Sequence, residues 1–164
     1  MKLWAITHGQ KHEGVNPSLT QAGIEQIANA SRKLIDYTVT GVVIGTGKRF
    51  IDTHAVYRDT LGEKKVPIKY SPFLGSADSG KKAETGFDVV LADGTPIHDS
   101  GYIGLIGTPG VDLWAVLEGT MKDGTLLVTG REFIGAFMPN GANDAKSATV
   151  YEIDTATRTV TEIK

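Results

Sequence analysis

His8 stands at the end of a short apolar run, Leu3-Trp4-Ala5-Ile6-Thr7, and is followed by Gly9 and a polar loop. Ligands of an open α/β sheet bind in the crevice beyond the carboxyl ends of its strands. An imidazole at that point can serve as a nucleophile or as a phosphate ligand. A second apolar run, Thr125-Leu126-Leu127-Val128-Thr129, ends in Gly130-Arg131-Glu132. A helix beginning there would present free N–H groups to an anion. Gly45-Thr46-Gly47-Lys48-Arg49 is a third turn of interest, but it is not a nucleotide-binding P-loop. That pattern needs glycine five residues before Gly47 and serine or threonine after the lysine, where Val42 and Arg49 stand. The four histidines, at 8, 12, 54 and 98, give no helical ligand pair, since His8 and His12 share a loop. No metal and no cofactor is expected. Cysteine is absent, which excludes disulfides, cysteine-ligated zinc and thiol-based phosphoryl transfer.

Alternating strands and helices must position these groups. Lys2 to Ile6 reads as the first strand. Asn16-Pro17-Ser18-Leu19-Thr20 leads into a helix with apolar residues at Ile24, Ile27, Ala28, Leu34 and Ile35, capped by Thr20. Gly41-Val42-Val43-Ile44-Gly45 is a continuous β-branched run and reads as a second strand. From about Lys48 a second helix carries Phe50, His54, Tyr57 and Leu61 on one stripe and stops at Gly62. Val66 to Tyr70 is a third, shorter strand.

Eight glycines then break residues 75 to 110 into turns. Within them Phe87 to Ala92, Asp93-Gly94 and Thr95 to His98 read as a β-hairpin with a type I′ turn. Thr108-Pro109 has the form of an N-cap and N1 proline, opening a helix through Leu113, Trp114, Leu117 and Met121. Ala148 to Ile153 and Thr159 to Ile163 form a closing pair of strands. The alternation predicts a three-layer α/β/α fold with a mostly parallel sheet. A single domain over 1–164 is expected, with a glycine-rich hairpin insertion at about 75–107 whose free strand edge could pair two copies into a homodimer.

Composition narrows the partners. A net charge of −2 over 164 residues leaves no basic footprint for nucleic acid. No run approaches the roughly 18 apolar residues of a membrane span. The first residues lack the apolar core of a secretory leader, so the expected location is the cytoplasm.

In order and spacing these motifs resemble the phosphoglycerate mutase-like histidine phosphatases over nearly the whole chain. That family opens with a strand ending in arginine-histidine-glycine, and Thr7-His8-Gly9 stands there. Asn16, Leu19, Thr20, Gly23 and Gln26 match its following loop and helix, and Arg49 with Thr53 matches its phosphate-binding arginine and the threonine after it. Leu74-Gly75-Ser76-Ala77-Asp78-Ser79-Gly80 has the spacing of its general-acid segment, with Ser76 at the glutamate. Thr129-Gly130-Arg131 replaces its serine-histidine-glycine, and Met138-Pro139-Asn140-Gly141 followed by Thr149-Val150-Tyr151-Glu152 resembles its last segment.

The resemblance implies that His8 attacks phosphorus and becomes a phosphohistidine. It also implies two arginines and a second histidine on the phosphoryl oxygens, and a glutamate that protonates the leaving group. Of these five groups His8 and Arg49 are present, and Thr7, Gly130 and Ser76 replace the others. Losing one preorganised donor costs on the order of 10² to 10³ in rate, and losing a general acid about 10² to 10⁴. The expectation is a pocket that binds phosphate or a phosphorylated ligand through Thr7, His8, Arg49, Gly130 and Arg131 with little or no turnover. The alternative is an active phosphatase or mutase working through His8 with rearranged support. Arg131, Lys48 or His12 could then supply the missing charge and Asp78 the acid. His54 is expected to pack on the inner stripe of its helix, and His98 to lie in the hairpin without a partner.

Overall fold

The computed structural model describes residues 1–75, 89–90, 96–97 and 112–164. Six strands form one sheet in the order β3-β2-β6-β1-β7-β8: β1 Lys2–Thr7, β2 Gly41–Ile44, β3 Ile68–Tyr70, β6 Thr125–Thr129, β7 Val150–Asp154 and β8 Thr159–Glu162. The four strands from β3 to β1 run parallel, while β7 and β8 are antiparallel additions at one edge. A separate two-stranded ladder joins β4 Val89–Val90 to β5 Pro96–Ile97, antiparallel, with Val89 opposite Ile97. This pairing belongs to the hairpin expected in the glycine-rich segment. The type I′ turn expected at Asp93-Gly94, with Ser76, Asp78, His98 and Thr108-Pro109, lies outside the described residues.

Period-2 alternation sends β-strand side chains to two separate cores. Leu3, Ala5, Leu127, Tyr151 and Ile153 pack on one face against α3 Leu113–Thr120 and α4 Arg131–Gly135. Ile6, Val42, Ile44, Leu126, Val128 and Val150 pack on the other against α1 Gln21–Arg32 and α2 Lys48–Leu61. The layers are therefore helix, sheet, helix. Among the described residues no helix is long and apolar enough to cross a membrane.

Local chemistry sets the helix ends. The Thr20 hydroxyl accepts from the Gly23 N–H and starts α1. That helix stops at Arg32, so Leu34 is buried from the turn beyond while Ile35 is left 66% exposed. Gly47 precedes α2 and has no side chain to cap it. Asn16 does so instead, its Oδ1 accepting from the Lys48 N–H at 2.9 Å. The helix expected to open at Thr108-Pro109 has its N-cap at Asp112, whose carboxylate accepts from the Trp114 N–H at 3.1 Å. The local capping bond decides that start.

Gly23 is where α1 meets the loop after His8. A β-carbon there would lie 2.1 Å from the Gln10 carbonyl oxygen, closer than any real contact. Gly23→Ala should therefore destabilise the fold by about 1–3 kcal/mol, the usual range for overpacking. Urea unfolding checks this, and an unchanged midpoint would show that loop and helix do not approach so closely.

Candidate active site

The chemistry-bearing residues collect at the carboxyl ends of β1, β2 and β6. His8 is the first residue after β1. Its N–H donates to the Thr129 carbonyl at 3.0 Å, and its own carbonyl accepts from the Ala148 N–H at 3.0 Å. The main chain is thus fixed on both sides. The imidazole is half-buried, and its Nδ1 lies 2.8 Å from the Gly9 carbonyl oxygen. A carbonyl oxygen only accepts, so Nδ1 carries the hydrogen. The neutral ring then keeps its free electron pair on Nε2.

Burial pushes the His8 pKa below its ordinary value. The Gly9 hydrogen bond and the Glu132 carboxylate act in the opposite direction, while the Arg49 and Lys11 cations reinforce the fall. Near neutral pH the imidazole is held uncharged.

Phe50 lies beneath this arrangement. Its ring meets His8 edge-to-face at 5.6 Å between centroids and carries the Arg49 guanidinium 4.2 Å from its own centroid. Glycine is needed on either side of it, because a β-carbon at Gly45 or Gly75 would come within 2.6 Å of the ring. Arg49 is only 6% exposed, so its charge is held near the imidazole rather than in bulk water. Gly130 bounds the site at the end of β6. A β-carbon there would stand 3.6 Å from His8 Nε2 and 3.2 Å from Glu132 Oε2. The missing side chain leaves room beside Nε2, and a carboxylate borders that room.

Two expected phosphate ligands point elsewhere. Thr7 is fully buried; its hydroxyl donates to the Lys146 carbonyl at 2.7 Å and accepts from the Thr149 N–H at 3.1 Å. Its proton is committed to tying β1 to the segment before β7. Arg131 is exposed and donates to the Ala142 carbonyl at 3.1 Å. Ala142 packs against Gly135 at the far end of α4, so the guanidinium runs away from Gly130. That helix spans five residues, too few for a substantial dipole.

The other candidates divide similarly. His12 and Lys48 are exposed on the surface. His54 is 8% exposed beside Tyr57, with its pKa lowered by burial and then by Arg58. It packs inward, as the stripe on α2 implies. Among the described residues no group of three or more histidine, aspartate or glutamate side chains could hold a metal ion. Glu132 and Lys11 also act on His8, and the sequence does not single out either. An acid in a first helical turn and a lysine in a polar loop are ordinary placements, and neither carries a signal of its own.

No family model and no curated protein matches this sequence. Solved structures do match its shape. The protein histidine phosphatase SixA complexed with tungstate superposes with a TM-score of 0.58 at 14% identity, covering 99% of this chain and 94% of that one. The fold is that of the histidine phosphatases. The alpha-ribazole phosphatase from Shigella flexneri shares it at a TM-score of 0.54 and 17% identity, over 99% and 94% of the two chains. The mycobacterial glucosyl-3-phosphoglycerate phosphatase shares it at 0.50 and 14%, over 92% and 88%. At these identities the likeness is one of architecture. In the histidine phosphatase fold of this chain, His8 lies directly beyond the end of a central parallel strand.

Two outcomes follow from the site. His8 and His54 both have folded-state pKa values below the unfolded value of 6.5. Their unfolded forms bind protons first on acidification, so stability present above about pH 6.5 is lost as pH falls towards the folded-state values. Thermal unfolding between pH 7.5 and 5 should show this fall, and His8→Asn with His54→Asn should flatten it. Thr7→Val leaves the Lys146 carbonyl and Thr149 N–H short of a partner and should cost about 1–3 kcal/mol. Denaturant titration checks that, and full stability would remove Thr7 from the role assigned here.

Proposed function

We propose that this chain is a phosphohydrolase that passes a phosphoryl group through His8 to water. The observation that carries the reading is the placement of the ring: Nδ1 lies 2.8 Å from the Gly9 carbonyl, which turns Nε2 towards the opening, and no side chain at Gly130 blocks it. In the first step the Nε2 electron pair forms a bond to phosphorus as the P–O bond to the leaving group breaks. The leaving oxygen takes a proton from solvent. Water then attacks the phosphohistidine, the N–P bond breaks, and phosphate departs with Nε2 restored. Arg49 supplies positive charge close to the imidazole, which favours an approaching phosphoryl group of about −1.5 to −2 charge. A solved structure of the same fold holds tungstate, an oxyanion. Its neighbours are phosphatases of a phosphoprotein, a ribazole phosphate and a glucosyl phosphoglycerate. They share the phosphoryl group and little else, so phosphorylated compounds are the substrate class.

A second reading, binding a phosphorylated ligand with little turnover, is favoured by one specific observation. The Thr7 hydroxyl is occupied by backbone groups and supplies no donor where the family carries a guanidinium.

The test uses p-nitrophenyl phosphate and a panel of phosphorylated metabolites, with His8→Ala as the control. Phosphohydrolase turnover should fall by at least about 10²-fold in the variant, and acid-labile, alkali-stable phosphate should be trapped on His8 of the parent. Equal rates in parent and variant would remove His8 from the chemistry. Background rates in both, with phosphate-dependent thermal stabilisation of the parent alone, would establish the binding reading.

A further inference from the structure

The carboxylate beside His8 is a group that neither the strand-end pattern nor the fold accounts for. Glu132 Oε2 lies 3.2 Å, and His8 Nε2 3.6 Å, from the position that a Gly130 β-carbon would take. Both groups therefore border one opening. Glu132 is solvent-exposed, and among the described residues no lysine or arginine side chain lies within ion-pair distance of it. The adjacent Arg131 turns to the Ala142 carbonyl instead. The negative charge thus borders the opening that a phosphoryl group on Nε2 would enter. Lys11 and Arg49 are the cations that also act on His8.

We propose that Glu132 is a specificity residue that opposes bare phosphate and selects phosphoryl compounds carrying a cationic group close to phosphorus. The inference rests on the phosphoryl site proposed above. Like charges a few ångströms apart repel even at a partly wet surface, and solvent screening limits the effect. An ammonium on the ligand reverses its sign, because the same carboxylate then becomes a partner.

Isothermal titration with two probes, inorganic phosphate and O-phosphoethanolamine, tests this. The parent should bind phosphoethanolamine more tightly than phosphate. Glu132→Gln should bind phosphate about tenfold more tightly than the parent and lose the preference for the amine. Glu132→Asp, which keeps the charge, should behave as the parent, and Glu132→Lys should exceed the glutamine variant in phosphate affinity. Phosphate affinity unchanged or weakened in the glutamine and lysine variants would overturn the role of Glu132. If the parent's phosphate binding still disappears in His8→Ala, the phosphoryl site itself stands. Failure of every variant to bind either probe would overturn both.

Discussion

The hydrogen bond between His8 Nδ1–H and the Gly9 carbonyl is a contact between neighbouring residues, yet it depends on packing well beyond them. The carbonyl can face the ring only while the loop after β1 lies flat on the start of α1. That approach is possible because both contact points are glycine: a β-carbon at Gly9 would stand 2.7 Å from the Gly23 carbonyl oxygen. Gln26 then holds the loop from the helix side, its Oε1 accepting from the Gln10 N–H at 2.9 Å, and the Thr20 N–H donates to the Gln10 carbonyl at 3.0 Å. The orientation of the imidazole is thus set by two bare backbone surfaces and a glutamine.

The strand order explains why residues far apart in sequence share one site. Because β6 lies between β2 and β1, the residues following those strands, Gly45, Gly130 and His8, emerge side by side. Two further ties align the ends. The Gly45 N–H donates to the Val128 carbonyl at 3.0 Å, and the Thr129 hydroxyl donates to the Leu74 carbonyl at 2.5 Å. The second tie brings Gly75 against the Phe50 ring, so the aromatic floor is closed from the far edge of the sheet.

How legible this was in the sequence depended on the range of the interaction. Strand runs, the Thr20 cap and the inward stripe of α2 are local patterns, and each appears where periodicity and capping put it. His8 could be placed because strand ends are where α/β sheets hold ligands. Thr7 could not be read correctly, since its hydroxyl serves backbone groups at Lys146 and Thr149, more than a hundred residues away. The direction of the Arg131 guanidinium is not a local pattern either, because the length of α4 and the fold of the 141–143 turn decide where it goes. Asn16 as the cap of α2 and Glu132 as a neighbour of His8 are likewise products of tertiary approach. In each of these the surroundings of a polar side chain are set by segments that only the assembled chain brings together.

Charge separates the two functional readings more sharply than motif completeness does. A histidine whose task is to hold an anion gains by being protonated, and its surroundings would raise its pKa with carboxylates or acceptors. Here burial is the largest influence and lowers it, with Arg49 and Lys11 acting in the same sense. The environment therefore stabilises the uncharged ring, at the cost of electrostatic attraction for phosphate. That loss is compensated only if the free pair on Nε2 is used, since a nucleophile must be unprotonated to attack. Under the proposed reaction the positive charge of Arg49 and Lys11 favours the incoming phosphoryl group as well as the neutral ring. An uncharged histidine with its Nδ1 turned to the Gly9 carbonyl suits the proposed nucleophile better than an anion ligand, and under that proposal ligand choice falls to the charges that act on it, Arg49, Lys11 and Glu132.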